Sequence, residues 1–283
     1  MTNNNLKNVA MLAHVYNDES QIDWTEPVWM QPKLDGVRCL FTKDGAFSRT
    51  GKQFMNVQHI EEDLKELFDS CPWIVLDGEL YNHDLKKDFE KIISLVRKQK
   101  PTDEDRSEAR TKIQYHVYDY IVGNTKYLRY KKRMDALVCS NIYTPSVRYV
   151  ESKRVATPAI IKIAHQTNLD RGYEGSIIRL NGVYEHKRSK NLLKVKDFSD
   201  SEAKIVDFVK GKGKRRGTIG KFIAIDAEGI KFGMPVMDKF KYLQDNFKTM
   251  QGWIGKTATF TYFERTKAGS YRHPLFKAIR NYE

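Results

Sequence analysis

The stretch QPKLDGVR, residues 31–38, places a lysine, an aspartate, a glycine and an arginine close together. The lysine, Lys33, can contact a phosphate as a cation, or attack it as a nucleophile if neighbouring charges, a metal or burial lower its pKa. Arg38 would supply a fork of donors for a phosphate, and Gly36 permits close backbone approach. A β-turn at residues 34–36 with solvated charges explains the same letters, so this stretch alone leaves both interpretations open.

Two later stretches put carboxylates next to apolar strand patterns. WIVLDGELY runs into Asp77 and Glu79, and YEGSIIRL places Glu174 just before a strand that contains Arg179. Carboxylates at such positions can hold a ribose hydroxyl or a divalent metal. An ordinary Asp-Gly turn and a solvated loop acid are the alternatives.

Strand alternation groups further side chains. In YHVYDY, Tyr118 shares a face with His116 and Tyr120, where a tyrosine can stack on a base or simply join the core. In LLKVK, Lys194 and Lys196 share a face, and two like charges there repel unless an anion or solvent separates them. An anion-binding face and an exposed edge strand guarded by lysines both fit this pattern.

The elements that must position these residues fall into two regions. Up to residue 198, strand-like runs alternate with helical patterns such as DFEKIISLVRKQ and TPAIIKIAHQTNLDRG, the second with Thr157 as N-cap. DEDRSEARTK is a loop or a solvated helix. From 199 to 283, short β-rich runs surround one helix pattern, which is typical of a small β-barrel. We predict an α+β fold with a domain boundary after residue 198.

Length and composition limit the class of protein. The 283 residues suit one large domain or a larger and a smaller one, and 40% hydrophobic residues indicate a globular chain. The net charge of +13 favours polyanionic partners, although a soluble basic protein without one would carry the same charge. There is no transmembrane-length apolar run or secretory signal, and the 3 cysteines have neither zinc nor disulfide spacing. We expect a soluble intracellular protein.

Six stretches, in order and spacing, resemble the motifs of the covalent nucleotidyltransferases, and most closely those of minimal two-domain ATP-dependent DNA ligases. KLDGVR resembles motif I, FSRTGK motif Ia, DGE motif III, VYDY motif IIIa, EGSIIR motif IV and LLKVK motif V. The later FTYFERTKAGSYRHPLFKAIR is similar to the end of an oligonucleotide-binding (OB) domain. The resemblance implies a mixed-sheet nucleotidyltransferase (adenylation) domain at 1–198 and a small OB-fold β-barrel at 199–283.

The resemblance also implies an activity. Lys33 would attack the α-phosphate of ATP, expel pyrophosphate and carry AMP to the 5′-phosphate of a nick, where the 3′-hydroxyl displaces AMP and seals the strand. Positioned cations should dominate such in-line phosphoryl transfers. The implied cofactors are ATP and Mg²⁺, with Mn²⁺ as the alternative, and the implied partner is nicked duplex DNA. The protein would act as a monomer, without a membrane.

Roles for individual residues follow from the same resemblance. Asp35 would place the 3′-hydroxyl end beside the catalytic Lys33 and Arg38. The expected nucleotide contacts are Gln31 at the base edge, Lys33, Arg38, Glu79 at the ribose, Tyr118 stacked on adenine, and Lys194 and Lys196 at the α-phosphate. The expected contacts of the nick phosphate are Ser48, Arg49 and Arg179. Glu174 and Glu79 would hold the metal.

Two stretches depart from the family pattern. AIRNYE stands where the family carries a fuller motif VI, so that Arg280 would stand in for its first arginine. KGKGKRRG stands where some minimal ligases carry a long clamp-like loop, and here we predict a short basic turn that contacts DNA, with a flexible solvated loop as the alternative. The cations of this turn are Lys210, Lys212, Lys214, Arg215 and Arg216.

Other functions are compatible with part of this interpretation of the sequence. An RNA ligase or an mRNA-capping guanylyltransferase shares the superfamily, and labelling by GTP or sealing of RNA nicks would distinguish them. A noncatalytic basic nucleic-acid-binding protein would bind DNA with strong salt dependence and release no pyrophosphate. That last class leaves Asp77, Glu79 and Glu174 unexplained.

Overall fold

A computed structural model describes residues 6–122, 127–140, 143–266 and 269–280 of the chain. The chain divides into two units, a first unit of residues 1–196 and a second unit of residues 197–283. The predicted domain boundary after residue 198 stays a prediction. Within the described ranges, no helix has the length and apolar composition that crossing a membrane requires.

The strand patterns of the first unit become two mixed five-stranded sheets. Their strands are β1 Leu12–Val15, β2 Val28–Lys33, β3 Val37–Thr42, β4 Gly45–Phe47, β5 Ile74–Tyr81, β6 Gln114–Val122, β7 Val147–Tyr149, β8 Lys153–Val155, β9 Gly175–Leu180 and β10 Arg188–Val195. One sheet has the order β1-β10-β9-β2-β8 and the other β4-β3-β5-β6-β7. The β1–β10 and β6–β7 pairs are parallel, and the other pairs are antiparallel.

Helices connect and cover these sheets. They are α1 Gln58–Asp63, α2 Lys65–Ser70, α3 Phe89–Val96, α4 Asp103–Lys112, α5 Tyr130–Cys139 and α6 Pro158–Asp170. The start of α6 is as predicted, because the Thr157 hydroxyl accepts from the Ile160 amide at 3.3 Å and proline occupies the first turn. The charged DEDRSEARTK is the helix α4, and Thr102 begins it with a capping box.

One face of β2 is held by the core, which leaves the other free for chemistry. Met30 packs with Ile178 and Leu193 of neighbouring strands and with Ile161 of α6. Since strand side chains alternate, Gln31 and Lys33 belong to the opposite face. The core therefore fixes the direction in which Lys33 leaves the sheet.

The sequence left open a turn at Asp77-Gly78, and this turn does not form. The strand β5 continues through both residues, and a bulge between them shifts its register against β6. A side chain on Gly78 would lie 2.5 Å from the His116 carbonyl oxygen, so only glycine lets the two strands approach this closely. The bulge changes the direction in which the side chains after it leave the strand, and Glu79 is one of them.

The second unit is β-rich, as predicted. Its elements are β11 Ser199–Lys210, β12 Ile219–Ile225, β13 Lys231–Pro235, α7 Phe240–Asp245, α8 Phe247–Gln251, β14 Thr257–Tyr262, β15 Glu264–Arg265, β16 Tyr271–Arg272 and β17 Leu275–Ile279. The predicted single helix is two short helices. Five strands pair antiparallel in the order β13-β12-β11-β14-β17 around an aromatic-rich core. Among the described residues β13 and β17 do not pair, so the sheet is not closed into a barrel. The α+β fold class is confirmed.

Candidate active site

A cavity of about 310 Å³ in the first unit collects side chains from both sheets. Its volume lies at the lower end of the range of small-ligand sites, about 300–1,000 Å³. The sequence-predicted residues in its lining are Gln31, Lys33, Arg38, Arg49, Glu79, Tyr118, Arg179 and Lys194. Residues separated by as many as 163 positions in the sequence therefore meet in one place, which we call the motif cavity.

At the end of β2, two lysines converge on one carboxylate. Lys33 and Lys196 both form ion pairs with Glu174, and the Lys196 Nζ lies 2.5 Å from Glu174 Oε1. Burial acts to raise the pKa of Glu174, but the two lysines overcome it and hold that pKa below its usual value. Glu174 is thus a buried carboxylate that orients the candidate nucleophile.

Gly175 permits this convergence. It pairs with Lys33 across β2 and β9, and a side chain on it would lie 2.4 Å from the Val195 carbonyl oxygen. Any larger residue would push β10 away at the point where Lys196 follows. The glycine of EGSIIR is therefore required by close backbone approach.

Glu79 is the acid among the residues that line the motif cavity. Burial raises its pKa to about 8, although the positive charges of Lys33 and Arg38 act in the opposite direction. The Tyr118 hydroxyl donates to Glu79 Oε2 at 3.4 Å. A carboxyl group that titrates near neutrality can accept from a hydroxyl or bind a cation, and it marks a functional site.

Asp77 holds Arg38. The Arg38 Nε and Nη2 donate to the two oxygens of buried Asp77 at 2.9 and 2.5 Å, and Nη1 donates to the Met11 carbonyl at 2.7 Å. The Tyr184 hydroxyl donates to the same carboxylate at 2.6 Å. Asp77 is thus occupied as a positioning residue, while the guanidinium of Arg38 still lines the motif cavity.

Two guanidinium groups lie within cation–π distance of the ring of Tyr118. The central carbon of Arg38 lies 5.5 Å and that of Arg179 5.2 Å from the ring centroid, within the range of cation–π contacts. Tyr118 therefore faces the site rather than the apolar core alone.

Arg179 donates hydrogen bonds to side chains that are themselves buried. Its Nε donates to Gln31 Oε1 at 2.6 Å and its Nη1 to Asp119 Oδ2 at 2.8 Å, and it is only 4% exposed. The amide nitrogen of Gln31 donates to the Ser152 hydroxyl at 2.8 Å. These contacts argue against Arg179 as a contact of the nick phosphate and against the Gln31 side chain as a reader of the base edge. Both fit better as positioning residues.

Asp119 holds side chains of the motif cavity in place, and the sequence analysis did not single it out. It is fully buried, and it accepts from Arg179 and, at 2.8 and 3.1 Å, from Arg133 of α5. A carboxylate within the otherwise apolar VYDYIV was the signal, because a buried charge needs partners. The arginine partners come from distant parts of the chain, and no local pattern identifies them.

The remaining predicted residues of the first unit are placed less tightly. Arg49 is exposed and lines the motif cavity, whereas the hydroxyl of its neighbour Ser48 accepts from the Lys52 amide at 3.0 Å. Asp35 is half-buried and outside the cavity lining. Burial and the charges of Lys33 and Arg188 lower the pKa of Lys194. The roles of these residues stay predictions.

In the second unit, KGKGKRRG forms a closed turn between β11 and β12. The Gly211 amide donates to the Thr218 carbonyl at 2.8 Å, and a 3₁₀ helix spans Gly213–Arg215. The Arg215 Nη1 donates to the Val236 carbonyl at 2.8 Å. The other cations of the turn, Lys210, Lys212, Lys214 and Arg216, are exposed. The backbone is hydrogen-bonded, which argues against a flexible loop.

The described residues contain no cluster of three or more His, Cys, Asp or Glu side chains that could hold a metal by themselves. Mg²⁺ is commonly held by one or two carboxylates together with substrate phosphates. Glu79 and Glu174 fit that donor set, since both are carboxylates near Lys33 and the charge of Glu174 contributes to the raised pKa of Glu79. Lys33 and Lys196 occupy Glu174 in this structure.

Comparison with solved structures identifies the fold as that of minimal DNA ligases. A structure from a study of Lig E DNA ligases, described as DNA binding with a minimal scaffold, superimposes with a TM-score of 0.76. It is 24% identical, and the match covers 96% of this chain and 100% of that one. At this identity the likeness establishes the fold alone.

The family is established by sequence. The model of the ATP dependent DNA ligase domain matches residues 10–196, and the chain belongs to this family. A DNA ligase of African swine fever virus is 30% identical over 212 residues, 69% of this chain and 48% of the viral protein. A DNA ligase of Haemophilus influenzae is 26% identical over 213 residues, 74% of this chain and 71% of that protein. The chain thus spans about half the length of the viral relatives it matches.

Proposed function

We propose that the protein is an ATP-dependent DNA ligase that seals nicks with a 5′-phosphate and a 3′-hydroxyl in duplex DNA. The observation that carries this proposal is the ion-paired Lys33–Glu174–Lys196 group beside Glu79, Tyr118 and Arg38. A lysine held beside other cations in a concave site suits nucleophilic attack on a phosphate. The protein would act inside the cell as a monomer with nicked DNA.

The first step would use Lys33 as the nucleophile. Its Nζ must give up a proton, and then it forms a bond to the α-phosphorus of ATP while the bond from that phosphorus to pyrophosphate breaks. The negative charge of ATP would draw Lys33 away from Glu174, because the phosphates compete for the same cation. Lys194 and Lys196 would stabilise the charge on the phosphate oxygens.

Binding of the nucleotide would fall to the walls of the motif cavity. Glu79 would accept from a ribose hydroxyl, and Tyr118 would stack on the base. The network of Gln31, Arg179 and Asp119 would hold Tyr118 in place. Glu79 and Glu174 would hold Mg²⁺, which supplies charge neutralisation at the phosphates when it is bound.

The DNA steps would use the same cavity with other cations. AMP passes to the 5′-phosphate of the nick with release of Lys33, and the 3′-hydroxyl then displaces AMP. Arg38, fixed by Asp77, and the exposed Arg49 are the candidates for the nick phosphate. Asp35 would lie beside the 3′-hydroxyl. The cations of the basic turn in the second unit would contact the DNA backbone.

Covalent labelling tests this proposal. Purified protein is incubated with Mg²⁺ and α-labelled ATP or GTP, run on a denaturing gel and chased with nicked duplex DNA. We expect label from ATP that the nicked DNA removes as sealed product appears, and no label in Lys33→Ala. Lys190→Ala, an exposed lysine of β10 outside the cavity lining, is the matched control and should label normally.

Each other outcome has a definite meaning. Label from GTP alone would make the protein a capping enzyme, and sealing confined to RNA nicks would make it an RNA ligase. Labelling of Lys33→Ala at the wild-type level would show that the nucleophile is another residue. Absence of label from both nucleotides, before and after a pyrophosphate treatment that strips bound AMP, would leave a nucleic-acid-binding protein.

A further inference from the structure

A second and larger cavity lies on the other face of β2. Its volume is about 490 Å³, within the range of small-ligand sites. Met30 lines it and not the motif cavity, Lys33 lines the motif cavity and not this one, and Pro32 and Leu34 border both. The alternation of strand side chains accounts for the separation of Met30 from Lys33. The proposed ligase reaction does not use the second cavity.

One wall of the second cavity is an exposed helix face. Ile160, Ile163 and Thr167 of α6 lie three and four positions apart, and all line the cavity. Ile160 is 41% and Ile163 68% exposed, although α6 turns Ile161 towards the core. Apolar side chains beside an open cavity can cover the face of a planar ring.

Four polar groups that line the second cavity are uncharged. Burial lowers the pKa of His116 to about 4, and burial also lowers the pKa of His83. The Tyr81 hydroxyl lies 2.8 Å from His83 Nδ1, and the Gln114 amide oxygen lies 3.1 Å from His116 Nε2. The bond between His116 and Gln114 uses Nε2 and the amide oxygen, so the second ring nitrogen and the amide nitrogen remain to accept and donate, which is what the edge of a heteroaromatic ring requires.

The remaining charged groups are mostly cations. Arg148, Lys153 and Arg171 line the cavity, and the acid among the lining residues is Glu151, 3.5 Å from Lys153. The guanidinium carbon of Arg148 lies 4.4 Å from the ring centroid of Tyr143. Such a stacked arginine keeps its donors for an anion, because ring contact uses its face and not its edge.

We propose that the second cavity is a separate nucleotide-binding site. The base would lie against α6 with its edge at His116 and Gln114, and the phosphates would bind Arg148 and Arg171. A ligand that has only an apolar ring or only an anionic group would match part of the cavity. An apolar molecule would leave the cations without a partner, and inorganic phosphate would leave the apolar wall uncovered.

Equilibrium dialysis of the full chain against labelled ATP in EDTA tests the proposal without any chemistry at Lys33. We expect two nucleotides per chain. Thr167→Trp places a large side chain at the cavity wall and should leave one nucleotide per chain. Gln166→Trp, an exposed neighbour on α6 outside the lining, is the control and should leave two. Arg148→Ala should weaken the second site at least about tenfold.

The result that overturns the proposal is a single nucleotide per chain that Thr167→Trp does not affect. Two nucleotides in both wild type and Thr167→Trp would also overturn it, because the second site would lie elsewhere. If wild type binds one nucleotide and Thr167→Trp removes it, the second site stands and the nucleotide role of the motif cavity fails. The two proposals therefore fail in different ways.

Discussion

Two charged regions, the Asp119 cluster of the first unit and the basic turn of the second, carry their charges in opposite ways. In the first unit, Asp119 and Arg133 are almost completely buried and bonded to each other, and Arg179 joins them. In the basic turn of the second unit, Lys212 and Lys214 are exposed. Buried charges are costly unless they are paired, so their geometry is fixed before any ligand arrives. Exposed cations contribute a field that salt screens.

Buried and exposed charges would therefore contribute to phosphate and DNA binding in different ways. Fixed groups such as Arg38 on Asp77 can define where a phosphate binds, because the guanidinium is held in place before the phosphate arrives. Exposed lysines can attract a polyanion along its whole length without selecting a position. Substitutions in the two regions should therefore differ in size and in the property they change.

The largest effect is expected at the buried cluster. Asp119→Ala leaves Arg133 and Arg179 buried without their shared carboxylate, and should lower the free energy of unfolding by about 3–5 kcal/mol. Urea denaturation measures this loss. Asp135→Ala on α5 breaks the exposed pair with Lys131 and should cost about 0–1 kcal/mol. Equal losses in the two variants would contradict the contrast.

A second effect, which depends on pH, is expected at Glu79. Its pKa is about 8 in the folded protein and 4.5 as a free group, so between these values the unfolded chain releases the proton and the folded one keeps it. The stability that this carboxyl contributes is complete below pH 4.5 and is lost as the pH rises through 8. The loss is at most about 1.4 kcal/mol per pH unit.

Glu79→Gln removes this titration. We expect the wild type to lose free energy of unfolding relative to the variant as the pH rises from 5 to 9, measured by urea denaturation at each pH. A difference between the two proteins that stays constant over this range would show that Glu79 has an ordinary pKa in the folded state.

The smallest effect on stability is expected in the basic turn. Lys212→Ala and Lys214→Ala should each change the free energy of unfolding by less than about 0.5 kcal/mol. Each should lower the slope of log K for DNA binding against log salt by about 0.9 if its lysine contacts one phosphate. Arg215→Ala should cost about 1 kcal/mol, because it also loses the bond to the Val236 carbonyl. Unchanged salt slopes would remove the turn from the DNA contact surface.

Local patterns were sufficient for most elements. The cap and first-turn proline predicted the start of α6, and alternation predicted the strands that contain Tyr118 and Lys194. They were insufficient at Asp77-Gly78, where a pairing with a distant strand replaces the turn that the dipeptide favours. They also predicted one helix near residue 240 where tertiary packing forms two.

The sequence by itself determined which residue types are present for phosphate chemistry and the order in which they occur. The order and spacing of the motifs of Lys33, Glu79, Glu174 and Lys194 predicted one site through their resemblance to the motifs of the covalent nucleotidyltransferases. The tertiary structure alone decided which polar side chains bond to other groups of the protein and which remain for a ligand. Arg179 and Gln31 bond to each other, and Arg179 to Asp119, across three strands, whereas Lys33 stays at the cavity. Burial and pairing depend on distant neighbours, and no local pattern contains them.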